Sequence, residues 1–290
     1  MKSGFVAIIG KPNAGKSTIL NSILERDVSI VTDKAQTTRN AIRGIYDDDE
    51  YQIVFVDTPG IHKARHSLGK IMNQDAFDST KGVDAIILVV DASLKFTEAD
   101  EFIIRSLPKD VATIVAINKI DLIKLPQAEA IKQTYKNNIP DAKIIELSAI
   151  KGFGIEDILN AVKPLMSEGP RYYPKDTISD KDSSFYVSEV VREKLLLLLR
   201  EEVPHELAVR VDEIKNKKEA VYIRATIIVD KDSHKGIVIG KNGSKIKEIG
   251  KRARKTLEKY FNKNMFLELF VSVKEDWINN PRILKELGYK

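Results

Sequence analysis

The 290-residue sequence contains no cysteine. Disulfides and thiolate metal sites are thereby excluded, and a reducing cytosol is the natural compartment. Long hydrophobic runs are missing as well. The longest, Ala85 to Val90, falls far short of the roughly 20 apolar residues a membrane-spanning helix needs. Near the amino terminus the run Phe5 to Ile9 is too short for the apolar region of a signal peptide and leads directly into a glycine-bearing loop. Contact with lipid is left to a surface patch. Histidine is scarce: His62 and His66 have the i,i+4 spacing of a metal pair but lack the glutamate or third ligand of a zinc site. Internal repeats and low-complexity tracts are absent too.

What is present fits a soluble globular protein, with 31% charged and 43% hydrophobic residues, long enough for two domains. The net charge of +5 is small but unevenly placed. From Lys235 to Lys263 ten Lys or Arg face only Glu248 and Glu258, which makes that stretch the candidate for a polyanion.

Up to about Met166 the chain alternates short apolar runs with helix-like segments. "FVAIIG", "YQIVFVD", "AIILVVD", "ATIVAIN" and "AKIIELS" each end in a polar residue or glycine, as strands of a sheet covered on both faces do. Residues 42–46 and 52–56 are expected to pair as a hairpin, giving a mixed, mostly parallel α/β sheet whose ligands sit beyond the strands' carboxyl ends. The stretch from Met166 to Ser184 breaks every periodicity and reads as a linker. The expected division is 1–168, a linker 169–184, and 185–290. The last part runs α-β-β-α-α-β and ends in a helix around Asp276–Leu287. Its five consecutive leucines, Leu195 to Leu199, cannot all share one helical stripe.

"GKPNAGKS", Gly10 to Ser17, matches G-x-x-x-x-G-K-[ST] between a strand and a helix. Gly10, Lys11, Pro12, Asn13, Ala14, Gly15 and Thr18 are expected to line the nucleotide's phosphates, the glycines letting backbone N–H groups point inward around the β-phosphate. Lys16 supplies charge to the β- and γ-phosphates, and Ser17 a hydroxyl to Mg²⁺. "DTPG" places Asp57 to hold Mg²⁺ through water and the Gly60 N–H to sense a γ-phosphate. "NKID" supplies Asn118, Lys119 and Asp121; the carboxylate is an acceptor suited to guanine's N1–H and N2–H₂ donors, which adenine lacks. "SAIKG" adds Ser148, Ala149 and Ile150, with the Ala149 N–H toward guanine O6. The nucleotide is therefore GTP or GDP. Of Thr37 and Thr38 the second is favoured as the Mg²⁺ ligand, although spacing alone does not separate them. Segments 32–43 and 60–69 are the expected nucleotide-sensing switches.

Ile61 occupies the place where many such enzymes carry a water-orienting glutamine. Slow intrinsic hydrolysis follows, on the order of 10⁻⁴ to 10⁻² s⁻¹. Asn13 is a candidate ligand for K⁺.

"GIVIGKNGSKIKEIG", Gly236 to Gly250, lacks the Lys-Ser/Thr of a phosphate loop and resembles a KH module, whose G-x-x-G loop joins two helices and clamps about four nucleotides. Gly240 and Gly243 permit close approach, and Lys241 and Asn242 face phosphates. Ile237, Ile239, Ile246 and Ile249 are expected to form an apolar groove for bases. Lys245, Lys247, Lys251, Arg252, Arg254 and Lys255 supply a phosphate track.

Taken with "AQTTRN", "DTPGIHK", "EGPRYYPKD" and the tail "VKEDWINNPRILKELGY", these motifs resemble the Era family of bacterial ribosome-associated GTPases over essentially the whole chain. The resemblance implies a P-loop GTPase domain joined to a type II KH domain, binding to the 3′ end of small-subunit (16S) ribosomal RNA, and a role in maturation of the 30S subunit. It implies a cytoplasmic location with some peripheral association with the inner face of the cell membrane. The chain is expected to be a monomer that binds RNA and not DNA. The rival readings are a scaffold whose basic helix meets anionic lipid or protein, a P-loop ATPase acting on RNA, and an RNA-modifying enzyme.

Overall fold

The computed structural model describes residues 1–34, 36–199 and 206–289. The chain divides into two compact units, one of Met1–Val31, Thr38–Ala64 and Met72–Asp180, the other of Thr32–Thr37, Arg65–Ile71 and the chain from Lys181 onward.

The first unit is built on strands β1 (Lys2–Gly10), β2 (Ile42–Asp47), β3 (Tyr51–Asp57), β4 (Ala85–Asp91), β5 (Ala112–Asn118) and β6 (Lys143–Glu146) in the order β2-β3-β1-β4-β5-β6. Only β2 in this series runs antiparallel, paired with β3 as the expected hairpin. Continuous apolar runs become two half-cores because successive side chains leave a strand on opposite faces. Val6 and Ile8 of β1 join Ile87, Val89 and Phe55 in one cluster, while Ala7 and Ile9 join Ile86, Leu88 and Val115 in the other. Helices α1 (Lys16–Leu24), α2 (Ser67–Asp78), α3 (Glu98–Ser106), α4 (Leu125–Asn138) and α5 (Ile155–Val162) connect the strands.

The expected linker proves to be folded onto this unit as far as Asp180. Its first residues form a short strand, β7 (Ser167–Glu168), beside Lys2 and Ser3, a length of β1 that β4 leaves uncovered. Gln52, fully buried, donates to the Tyr173 carbonyl at 2.9 Å and accepts from the Tyr172 and Tyr173 N–H groups at 2.7 and 2.9 Å. A buried carboxamide needs these partners. Further on, Ile178 accepts from Ile45 N–H and covers the open edge of β2. Composition marks such a stretch as irregular but does not show that a buried polar side chain ties it down.

The second unit follows the order α6 (Ser183–Leu198), β8 (Leu207–Asn216), β9 (Ala220–Val229), α7 (Asp232–Ile239), α8 (Ser244–Phe261) and β10 (Asn264–Val273). Its sheet is β10-β9-β8, with β8 antiparallel and β10 parallel to β9. Ile249, Ala253 and Leu257, one helical turn apart, bury the inner face of α8 against the sheet. Leu195, Leu196 and Leu199 are buried, whereas Leu197 is exposed, so the five-leucine run does divide between surfaces. The tail forms a turn at Trp277–Asn279 and the short helix α9 (Pro281–Glu286). Trp277 is fully buried and donates its indole N–H to the Glu206 carbonyl.

Candidate functional site

The β1–α1 loop is shaped by contacts a larger residue would break. Gly15, at φ 99°, caps α1, and a Cβ there would lie 2.1 Å from Asn118 Nδ2. No side chain caps this end of α1, so its first N–H groups remain available to an anion. A Cβ on Gly60 would meet the Pro12 backbone at 2.6 Å, which places the DTPG turn directly against the loop.

Lys16 is buried, and its Nζ donates to the carbonyls of Gly10 at 3.2 Å and Lys11 at 2.9 Å. Burial pushes its pKa down to about 8, against the opposing pull of Asp57. The side chain of Lys11 turns away to Asp100 at 2.7 Å. Asp100 also accepts from the Tyr135 hydroxyl at 2.9 Å and from Thr97. Burial works to raise the Asp100 pKa, but these donors outweigh it and hold the carboxyl below its usual range.

Ser17 Oγ lies 2.6 Å from Asp57 Oδ2 and 2.8 Å from Thr38 Oγ1. Thr37 is engaged elsewhere, with the Lys34 carbonyl and the Thr32 hydroxyl, each at 2.6 Å. Of the two threonines, it is Thr38 whose hydroxyl meets Ser17. Ser29, which carries no motif in "RDVSIV", also donates to Asp57 Oδ2 at 2.9 Å. Asp57 Oδ1 is buried with no partner, and burial raises this carboxyl's pKa. Hard oxygen donors gathered around an orphaned carboxylate oxygen fit Mg²⁺. Among the described residues no group of three or more His, Asp or Glu forms another metal site, and the His62 ring lies against the Gly60 carbonyl.

Past the carboxyl end of β5, Asp121 accepts from Ser148 Oγ at 2.6 Å, with Lys151 Nζ at 3.8 Å. The serine hydroxyl is the main influence holding its carboxyl below the usual range, so it faces a ligand as an anion. Asn118 bridges two loops. Its Nδ2 donates to the Ala14 carbonyl at 2.9 Å, and its Oδ1 accepts from Ala149 N–H at 3.0 Å. The carboxamide thus ties the phosphate loop to the Ser148–Ala149 turn. The Ala149 N–H, expected to meet guanine O6, is the group that donates to Asn118. Lys119 pairs with Asp91 at 2.5 Å, and Ile150 and Asn13 are exposed. Ile61 is buried in the apolar cluster with Ile9 and Ile86, which removes it from the chemistry altogether.

A cavity of about 710 Å³ lies at the opposite, amino ends of β5 and β6, lined by Leu107, Val111, Ile139 and Leu165. Its charged lining, Arg105, Lys109, Asp110, Asp141 and Lys143, is exposed. The size of a cavity does not locate the chemistry here.

In the second unit α7 and α8 are joined by the GKNG turn, whose Gly240, Asn242 and Gly243 all have positive φ. A groove of about 420 Å³ is lined by Ile246, Lys247, Gly250, Lys251, Arg254, Leu267 and Leu269. Ile249 is not part of it: at 0% exposure it belongs to the core, since it lies on the inner stripe of α8. Ile237 is exposed and Ile239 half-buried, and both lie on α7 outside the groove's lining. Leu267 and Leu269 take their place; the alternation in "MFLELFVSV" carried that signal. Lys241, Asn242, Lys247 and Lys251 are exposed, Lys245 is half-buried beside Gly240, and Arg252 pairs with Glu248 at 2.6 Å.

Residues 5–119 match a family model described as 50S ribosome-binding GTPase, and residues 202–278 match the KH domain model. The chain is a P-loop GTPase domain followed by a KH domain. It superposes on the crystal structure of Era in complex with MgGDPNP and nucleotides 1506–1542 of 16S ribosomal RNA, with TM-score 0.96, 38% identity, and coverage of 100% of this chain and 99% of that one. The match to a variant of Aquifex aeolicus Era bound to GDP·AlF₄⁻ has the same values, TM-score 0.96, 38% identity, and 100% and 99% coverage. The chain belongs to the Era family.

Proposed function

We propose that this protein hydrolyses GTP to GDP and phosphate and binds the 3′ end of small-subunit ribosomal RNA through its KH domain, acting in 30S subunit assembly. The observation that carries the reading is that Asn118 ties the phosphate loop, at Ala14, to the Ser148–Ala149 turn beside Asp121, in a chain similar along its full length to Era with GTP analogue and 16S ribosomal RNA.

The uncapped start of α1 and the Lys16 ammonium hold the β- and γ-phosphates, and Asp121 reads guanine. Ser17, Thr38 and Asp57 would hold Mg²⁺, which supplies charge neutralisation on the phosphates. Lys16 leaves the carbonyls of Gly10 and Lys11 for the substrate, so its charge is set in place before the reaction. With Ile61 buried, no side chain at that position orients water, and turnover is slow without help.

K⁺ at Asn13 is one source of help; equal turnover in Na⁺ and K⁺ buffers, for wild type and Asn13→Ala alike, would remove it. GTP-dependent ordering of segments 32–43 and 60–69 is the proposed control on RNA affinity. The protein acts as a monomer in the cytoplasm, with peripheral contact to anionic membrane; liposome co-sedimentation tests the last point. Among the described residues no helix is long and apolar enough to cross a membrane.

The main experiment is filter binding of short oligonucleotides from the ribosomal RNA 3′ end, with GDP and with a GTP analogue. Wild type should bind more tightly in one nucleotide state, and a Lys241→Ala/Asn242→Ala variant should lose binding in both. Identical affinity in every state would refute the switch; undiminished binding by the variant would refute the loop's role.

A further inference from the structure

The RNA groove uses one face of β10, through Leu267 and Leu269. The other face carries Phe266, Glu268 and Phe270, because side chains alternate along a strand. Phe266 is 66% exposed and Phe270 51% exposed, a costly placement for two large rings on one strand. They stand about 13 Å apart by strand geometry.

On the neighbouring strand β9, in register, lie Tyr222 opposite Phe266 and Arg224 opposite Glu268. The Arg224 guanidinium sits 5.9 Å from the centre of the Phe270 ring and 5.9 Å from that of Tyr222. Tyr222 donates its hydroxyl to Glu268 at 2.6 Å, and Arg224 Nε reaches the same carboxylate at 3.4 Å. On β8, Arg210 pairs with Asp212 at 2.9 Å, and Asp212 accepts from Thr226 at 2.6 Å. The charges of this face are thus matched within it. It offers phosphate no net field, but it presents flat rings and a planar guanidinium, surfaces on which bases stack whatever their sequence.

We propose that the outer face of this sheet is a second RNA contact, a stacking platform of Phe266, Phe270 and Arg224 for unstacked bases of a strand leaving the groove across β10. Continuity with the groove supports it: among the described strands β10 is the sheet's edge, so the two surfaces are separated by a single strand. The proposal rests on the RNA reading of the GKNG groove. To the helix-side groove, where lysines meet the backbone and apolar side chains the first bases, it adds a sheet side that binds further bases without a salt-dependent contribution.

The test uses the full chain with a GTP analogue and two RNAs, one of about five nucleotides that fills only the groove and one of about twelve that extends past it. Phe266→Ala and Phe270→Ala should each weaken the longer RNA roughly tenfold and leave the shorter unchanged, with the same salt dependence as wild type. Phe270→Trp should retain affinity, and Phe270→Leu, apolar but without a π face, should lose it. Because these side chains are exposed, the variants are expected to fold. Equal effects on both RNAs, no effect on either, or Leu performing as well as Trp would overturn the proposal; no effect on either would leave the face to a protein partner. Failure of the wild type to bind the shorter RNA would instead sink the groove reading itself.

Discussion

Lys16 is the group whose titration most directly exposes how the phosphate site works. In the nucleotide-free protein burial lowers its pKa from 10.5 to about 8. The unfolded chain keeps its lysine charged up to 10.5, so between these values the folded state has lost a proton that the unfolded state still holds. Stability of the empty protein should therefore rise with pH across this window, reversing the usual sign for a lysine that has gained a partner. Over 2.5 pH units the limit is about 3 kcal/mol. Nucleotide affinity should move the other way, because the phosphates need the ammonium form. Affinity for GDP should be flat below pH 7.5, then fall toward tenfold per pH unit above about pH 8, as binding takes up one proton. Calorimetry in two buffers of different ionisation enthalpy measures that uptake directly. Unfolding scans of wild type and Lys16→Met across the same range check the opposite trend in stability. An affinity that stays flat to pH 10, or proton uptake near zero at pH 9, would refute the reasoning.

Three further outcomes follow from particular contacts. Asp121→Asn removes the anion that Ser148 helps to hold, and should weaken GTP on the order of 100-fold while improving xanthosine triphosphate, whose C2 carbonyl meets the new amide donor; displacement of a fluorescent GDP measures both. Asp100→Asn removes the anionic partner of Lys11 and weakens the Tyr135 contact, and should cost about 2 kcal/mol of stability in the nucleotide-free protein, read as a lowered Tm with reduced GDP affinity. Ile61→Gln should not accelerate single-turnover hydrolysis, because the position is only 3% exposed within an apolar cluster; it should destabilise the protein by about 2 kcal/mol instead.

The parts of the site that a reader of the sequence finds are those whose chemistry is contiguous. The Gly10–Ser17 loop carries its own glycines, lysine and hydroxyl, and each strand announces its polar terminator, so β1, β3 and β5 could be placed together with Lys16, Asp57 and Asp121. What escaped was decided by distance. Thr37 and Thr38 are chemically equal neighbours, and only the 2.8 Å approach to Ser17 separates them. Ser29 and Asp100 serve the phosphate end from 28 and 89 residues away from their partners, where no spacing rule reaches. Asn118 shows the converse: its motif was visible, but its two hydrogen bonds to Ala14 and Ala149 make it a tie between motifs. In the KH domain, four isoleucines near the loop looked equivalent until the helical stripe sent Ile249 inward and left Leu267 and Leu269 to line the groove.

The central claim is that the loop around Lys16 and the turn around Asp121 serve a single guanosine triphosphate. A crystal structure of the protein grown with Mg²⁺ and a non-hydrolysable GTP analogue tests it most directly. The account predicts the guanine N1–H and N2–H₂ within hydrogen-bonding distance of the Asp121 carboxylate, and the γ-phosphate within reach of Lys16 Nζ. A purine bound away from Asp121, or a triphosphate lying outside the Gly10–Ser17 loop, would contradict it.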